Sequence, residues 1–352
     1  MDLELQHFDY PNDLGKQREL FADAFAEVQD KSVEIYHWQF HQFPNNKNRS
    51  FEFCSYINDE MVGYYAAIPY RYKIIDSLTD VGMVCGVMTS SKHRGKGIFT
   101  KMGKYSTTEL AASVPFTTGY PIRKAVIPGH LKVGWKIAFE LPLYMKFIKS
   151  DSLLKKKGIP FFSIIINPLL SGYNYFRKTK SSPNYESFNY SEISNIDGYD
   201  EFVSKWIQSV PNALIKDSTF ANWRYGCPGK NYRFLVIKIN DQIIGFTSYC
   251  SIIKEDVPSY CLLDLMILPE YFDCAGYLFK NLSDKAKSEG VEAIMFMMSN
   301  HSAKQYQVVK NGFLKSPFKF QLIIKNLTNQ FQDEILFKEE NWHLMWVDSD
   351  DL

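Results

Sequence analysis

Val84-Cys85-Gly86-Val87-Met88-Thr89-Ser90-Ser91-Lys92-His93-Arg94-Gly95-Lys96-Gly97-Ile98-Phe99-Thr100-Lys101-Met102-Gly103-Lys104 is the stretch on which the reading of this chain turns. An apolar, β-prone run from Val84 to Met88 meets a small polar turn, then Arg94 to Gly97, then a segment of helical character from Ile98. The order is strand, glycine-rich turn, helix. Such a turn leaves backbone N–H groups unpaired at a helix N-terminus, where the helix dipole favours negative charge, so a phosphate or pyrophosphate is the natural ligand. Gly95 and Gly97 permit positive φ and a close approach of the backbone.

Glycine spacing separates the known phosphate-binding signatures. A Walker A loop is absent, because no Gly stands at the required distance before Gly-Lys-Ser/Thr. The dinucleotide fingerprint is absent too, since Thr100 occupies the place of the third Gly. The pattern that remains, Arg94-x-x-Gly97-x-Phe99, resembles the acyl-CoA motif Arg/Gln-x-x-Gly-x-Gly/Ala of the GCN5-related N-acetyltransferases, the GNAT superfamily, with Phe99 at its last position. The resemblance implies acetyl-CoA, or another acyl-CoA, as co-substrate, without a metal. The backbone of Arg94, Gly95, Lys96, Gly97, Ile98 and Phe99 would hold its pyrophosphate, and Lys92 and Lys96 would add charge. A backbone N–H of the strand at Val87 or Met88 would polarise the thioester carbonyl.

Composition agrees with a globular protein. The 352 residues allow two domains of ordinary size, and 45% hydrophobic with 22% charged residues describes a chain with a sizeable core, rich in its 27 Phe and 22 Tyr. A net charge of +1 argues against a general nucleic-acid binder. The N-terminus lacks the basic and apolar regions of a secretory signal, and no run of about 18 apolar residues is present to span a bilayer. A cytoplasmic protein with no integral membrane segment, monomeric or homodimeric, is the expectation. The six cysteines form no Cys-x-x-Cys pair and read as reduced, buried thiols.

Around the opening stretch the pattern predicts a strand at Leu3 to Phe8, a helix capped by Asp13, and a helix from Val33 to Phe43 before Pro44. Strands follow at Phe51 to Ile57 and Met61 to Ile68, joined by Asn58-Asp59-Glu60, with Tyr70 to Ile75 extending the second. Val114 to Gly119 reads as a strand, Ala125 to Val133 as a short helix, and Lys136 to Lys146 as closing strands. From Tyr185 the pattern starts again, with strands at Phe188 to Ile193, Phe234 to Ile239, Ile243 to Ile253 and Tyr260 to Leu268. Helices are predicted at Tyr199 to Val210, Ala275 to Glu289 and Asn300 to Lys310, and Asn311-Gly312-Phe313 echoes Val133-Gly134-Trp135.

The order of elements is that of a GNAT domain, met twice. The fold class expected is α/β (α+β): two GNAT-like domains, each a mixed, mostly antiparallel sheet flanked by helices. The first, residues 1–148, would carry the acyl-CoA site and the second, 185–352, would be degenerate. In the second copy Leu268-Pro269-Glu270-Tyr271-Phe272-Asp273 replaces the glycine turn and adds two carboxylates. Phe220 to Tyr225, ahead of Pro228, adds a weak likeness to two-domain bacterial acetyltransferases. Between the domains, residues 149–184 hold Lys155-Lys156-Lys157, the apolar run Ile159 to Leu170, and Arg177, Lys178 and Lys180 before Ser181-Ser182-Pro183. A helix packed between two domains is the simpler reading of that run, and a basic amphipathic helix touching a membrane surface is the other.

GNAT chemistry is direct attack of an amine on a thioester, so it needs an unprotonated amine and an acid for the departing thiolate. His130 stands where the superfamily often has Tyr in Tyr-x-x-x-Gly-Phe, which implies a general acid. Tyr120 or Tyr144 are alternatives. Candidate bases are Asp80 and Glu52. His37 and His41, four apart on one helix, invite a metal but lack a third ligand, and Cys85 reads as a core thiol. The acidic tail Asp348 to Leu352 reads as a frayed terminus, the alternative being a carboxylate that reaches the first domain's site. The acceptor implied is a small amine, an amino sugar or its nucleotide. A longer acyl chain, Fem-type aminoacyl transfer and a non-catalytic acyl-CoA sensor are the alternatives.

Overall fold

The computed structural model describes residues 2–25, 32–45, 49–121, 124–177 and 184–350. Lys178, Lys180 and the expected linker Ser181-Ser182-Pro183 lie outside the described residues, as do Asp351 and Leu352. The chain packs as two compact units, Met1–Phe139 with Gln321–Lys338, and Glu140–Phe320 with Glu339–Leu352.

The first unit runs β1 (Glu4–His7), α1 (Leu14–Ala24), α2 (Val33–Phe40), β2 (Phe51–Ile57), β3 (Glu60–Ile74), β4 (Ser77–Thr89), α3 (Ile98–Leu110), β5 (Phe116–Gly119) and α4 (Ile127–Lys132). Its sheet has the order β1-β2-β3-β4-β5, antiparallel except for the parallel pair β4 and β5. Asn58 and Asp59 turn the β2–β3 hairpin with φ of 48° and 63°, the left-handed pair that matches the twist of the strands. The two runs expected on either side of Pro69 form one continuous β3. Asp13 sits at the start of α1 but does not cap it. Its carboxylate accepts the Asp9 N–H at 2.9 Å and the Tyr56 hydroxyl at 2.6 Å. Helix α2 stops short of Phe43, because Pro44 steers the residue before it away from helical backbone. Helix α3 lays Met102 and Leu110 onto Phe53, Tyr65, Ala67 and Val84, with Val133, Trp135 and Ile323 completing the core.

The second unit takes up the chain within β6 (Lys136–Phe147) and continues through α5 (Asp151–Lys156), α6 (Ser163–Phe176), β7 (Glu186–Tyr190), α7 (Tyr199–Gln208), β8 (Asn212–Leu214) and α8 (Ser218–Tyr225). Strands β9 (Tyr232–Ile239), β10 (Gln242–Lys254) and β11 (Val257–Ile267) follow, then α9 (Cys274–Ser288), β12 (Ala293–Met297), α10 (Asn300–Gln305) and β13 (Leu314–Asn326). The sheet order is β6-β12-β11-β10-β9-β7. Only β11 and β12 are parallel in it, as β4 and β5 are in the first unit. The repeat seen in the sequence is therefore a repeat of topology.

The last strand of each sheet comes from the other half of the chain. Ile323 to Asn326 of β13 pair with Gly119 to Phe116 of β5 in the first unit, and Leu143 to Phe147 of β6 pair with β12 in the second. The expectation that Lys136 to Lys146 close the first sheet is corrected accordingly. The chain then stays in the first unit through α11 (Asp333–Leu336).

Through Ser349 the tail is not frayed. Trp342 to Ser349 are buried in the second unit, where Asp348 lies 3.5 Å from Lys216 Nζ. Among the described residues no helix is long and apolar enough to cross a membrane, no disulfide joins the six buried cysteines, and no cluster of three metal-ligating side chains occurs.

Candidate active site

Strand β4 pairs with β5 only from Gly82–Thr117 to Val84–Gly119, where β5 ends, while β4 runs on to Thr89. On its other side the register against β3 slips, Ala66 facing Cys85 but Tyr64 facing Met88, so β4 bulges at Gly86 and Val87. Gly86 has φ of 61°, and a side chain added there would come within 3.5 Å of the Tyr64 ring. The bulge turns the edge of β4 toward an open cleft of about 490 Å³.

The floor of that cleft is the start of α3. Gly95 and Gly97 both have positive φ, 77° and 79°, and Gly97 occupies the N-cap without a capping side chain. The first intrahelical bond is Lys101 N–H to the Gly97 carbonyl, so the amides of Ile98, Phe99 and Thr100 precede the helical ladder. The turn is held from α1. Asp23 accepts the Ser91 amide at 2.7 Å and the Ser91 hydroxyl, which with Lys92 nearby lowers its carboxyl below the usual range. The Arg94 guanidinium donates to the Ala24 carbonyl at 3.3 Å.

Of the residues expected to bind the cofactor, Val87, Met88, Arg94, Gly95, Gly97, Ile98 and Phe99 line the cleft. Lys92 and Lys96 do not; Lys96 Nζ lies 3.5 Å from His93 Nδ1. The walls the sequence did not point to are Ala24 and Phe25 at the end of α1, His93, and the segment Ala125, Val126, Gly129 and Lys132. His93 and Lys132 are cationic or titratable neighbours of the motif, whereas Ala24 and Phe25 carry no sequence signal for this role.

Phe99 fits because α4 makes room for it. A Cβ at Gly129 would fall 2.7 Å from the Phe99 ring, and His130 meets that ring edge-on at 5.0 Å. The large side chain turns toward α4 and leaves the helix start open.

His130 is buried between Phe99 and Trp135, and burial lowers its pKa to about 4. The imidazole is therefore neutral at ordinary pH, and it is not part of the cleft wall. Tyr120 is buried just past the end of β5. Tyr144 belongs to the second unit, where its hydroxyl donates to Asn300 at 3.5 Å. Cys85 is a buried residue of β4. Asp80 accepts from Asn45 at 3.3 Å near the start of β4.

Glu52 is the candidate carboxylate with the more hydrogen-bonded setting of the two. It is largely buried on β2, accepts hydrogen bonds from the hydroxyls of Tyr36, Tyr64 and Ser50, and is raised above the usual carboxylate range by desolvation. It lines a second cavity of about 600 Å³ with Asp9, Tyr10, Phe40, His41 and Arg49. Phe40 and Tyr64 form the partition to the β4 bulge, since both rings lie within 4 Å of the position a Gly86 side chain would take. His37 and His41 stack at 5.4 Å, His37 bonded to Tyr10 at 3.1 Å.

The second copy lacks such a cradle. The turn before α9 is a tight helical turn, Pro269–Tyr271, and no residue from 268 to 273 has positive φ. Asp273 at the start of α9 accepts both of its bonds from Tyr185, at 2.9 Å.

With this geometry in hand, residues 11–138 match the family model of the acetyltransferase (GNAT) domain. Residues 11–138 thus carry a GNAT domain. Among solved structures, the GCN5-related N-acetyltransferase from Anabaena variabilis superposes with a TM-score of 0.66 at 11% identity, covering 93% of this chain and 73% of that one. The corresponding protein from Kribbella flavida gives 0.63 at 12%, with 93% and 71% covered. N-myristoyltransferase of Saccharomyces cerevisiae with bound myristoyl-CoA gives 0.60 at 11%, with 92% and 79% covered. No curated protein matches the sequence. The GNAT assignment makes the chain an acyltransferase by its domain, and the structural likenesses extend the shared fold over both units.

Proposed function

We propose that this protein moves an acyl group, acetyl in the simplest case, from acyl-CoA to a small amine. The observation that carries the reading is the glycine turn of Gly95 and Gly97, both with positive φ, which lines the cleft with the first residues of α3 and the bulged end of β4. The pyrophosphate would sit on the amides from Gly97 to Thr100, with Arg94 and Lys132 as neighbouring cations. The thioester would lie along Val87 and Met88, where a backbone N–H stabilises the negative charge that develops on its oxygen.

The amine attacks the carbonyl carbon, forming the C–N bond as the C–S bond breaks, and the electron pair leaves with the thiolate. The proton lost by nitrogen passes toward Glu52, directly or through the Tyr64 hydroxyl bonded to it. The thiolate needs a proton, for which Tyr120 at the end of β5 is preferred over His130, because an imidazole neutral above about pH 4 does not serve as an imidazolium acid. Asp9 and Glu52 in the second cavity suit a cationic acceptor such as an amino sugar or its nucleotide. The second unit is a repeat without a CoA cradle.

The apolar cleft wall of Phe25, Val87, Met88, Phe99 and Val126 favours one further reading, a longer acyl chain. Thermal shift with CoA, acetyl-CoA and longer acyl-CoAs, beside thiol release against an amine panel, tests the proposal. Gly97→Glu strains a position with φ of 79° and puts a carboxylate among the anion-binding amides, so it is expected to abolish the CoA-dependent shift. A wild-type protein that shows no shift with any CoA species overturns the assignment.

A further inference from the structure

Helix α6 is built inside out for a soluble protein. Its inward face mixes the half-buried Ile166 and Leu170 with polar anchors: Asn167 accepts the Ser150 amide and hydroxyl, both at 2.8 Å, and donates to Asp151 at 2.9 Å, while Asn174 donates to the Phe147 carbonyl at 2.9 Å. Its outward face is apolar. Ile164, Ile165, Leu169, Tyr175 and Phe176, with Phe161 just ahead of the helix, recur at helical spacing and point into solvent. Phe161 is 82% exposed, Ile164 76% and Phe176 84%, and no residue of the helix is fully buried. A contiguous exposed apolar face of this kind marks an interaction surface.

The charges around it say which surface. Exposed Lys155 and Lys157 precede the helix and Arg177 ends it. Along its flank opens a cleft of about 370 Å³ lined by Lys146, Lys149, Arg177, Lys280 and Lys287, with Asp284, bonded to Lys280 at 2.9 Å, as its only carboxylate among the described residues. Apolar side chains facing outward, aromatic rings at both ends and a basic cleft along the helix form the pattern of a helix lying in a lipid headgroup layer.

We propose that α6 is a membrane-surface anchor, inserting Phe161, Ile164, Ile165, Leu169 and Phe176 at the acyl boundary of an anionic bilayer while the Lys149–Lys287 cleft receives a lipid phosphate. The anchor lies wholly in the second unit and does not depend on the acyl-CoA reading. It makes the association a peripheral one.

The test is co-sedimentation of the full-length protein with phosphatidylcholine vesicles, with and without phosphatidylglycerol, across a salt series. Wild type is expected to pellet with the anionic vesicles and to release as salt rises. Ile165→Glu with Leu169→Glu, both at exposed positions, is expected to lower partitioning at least about tenfold with an unchanged melting temperature. Lys149→Glu with Lys287→Glu is expected to lower anionic binding by about tenfold or more and to flatten the salt dependence. Failure of wild type to bind anionic vesicles overturns the proposal, as does equal binding by the apolar variant or equal binding to neutral vesicles. Light scattering that shows a wild-type dimer, made monomeric by the apolar pair, assigns the face to a second copy and also overturns it.

Discussion

Glu52 illustrates how the surroundings of a carboxylate set its proton affinity. Desolvation raises its pKa, and the hydroxyls of Tyr36, Tyr64 and Ser50 restrain that rise by donating to the charged form. A base must be ionised to act, so turnover is expected to climb with pH through a value above the ordinary carboxylate range of about 4. The pH profile of kcat/KM checks this, and Glu52→Gln is expected to lose that limb and about 10²–10⁴ in rate while still binding CoA. An unchanged profile in Glu52→Gln would remove Glu52 from the mechanism. Nothing local in Phe51-Glu52-Phe53 distinguishes this carboxylate from Asp80. What distinguishes it is the pair of tyrosines delivered from α2 and β3.

At the scale of elements, the contact between α3 and α4 explains a departure from the family motif. Phe99 occupies the place of a small residue, and the missing side chain has moved to Gly129, thirty positions along the chain. Gly129→Ala puts a Cβ 2.7 Å from the Phe99 ring and is expected to destabilise by about 1–3 kcal/mol, read as a lower denaturant midpoint. Phe99→Ala in the same chain should recover much of that loss, a coupling that a double-mutant cycle measures. Helix α6 shows the opposite case. Its apolar spacing was legible, but the side on which the fold would put that face was not. Helical periodicity defines a stripe and leaves its direction to the neighbours.

At the scale of the molecule, the two sheets share one strand order and differ in the turn that follows the first strand of the parallel pair, a glycine turn in the first copy and Pro269–Tyr271 in the second. The second unit also holds a buried ionic cluster, Lys216 Nζ lying 2.8 Å from Asp264 on β11 and 3.5 Å from Asp348 of the tail. Burial alone would lower the lysine, and the two carboxylates more than offset it. Lys216→Met leaves two buried carboxylates without a counter-charge and is expected to cost about 3–5 kcal/mol of stability by denaturant titration. Asp348 is raised by burial from 3.8 to about 6. Between those values the folded chain holds a proton that the unfolded chain has released. This group's contribution therefore declines as pH rises through the window, and Asp348→Asn is expected to flatten the slope.

The sequence by itself determined the strand–turn–helix at Val84 to Lys104, the hairpins at Asn58-Asp59 and Asn240-Asp241, and the repeat of elements. Those features rest on local backbone preferences and on hydrophobic period, which a chain carries in every conformation. The tertiary structure decided the rest. It sent β6 and β13 each to the other half's sheet, set His130 against Phe99 as a neutral core ring, closed the cleft with the end of α1, and buried the tail on Lys216. Each of these depends on which distant surfaces meet, and burial, pairing and proton affinity exist only once they have met. The glycine turn was readable because amide geometry is local; the cleft it serves was not, because its other walls come from elsewhere in the chain.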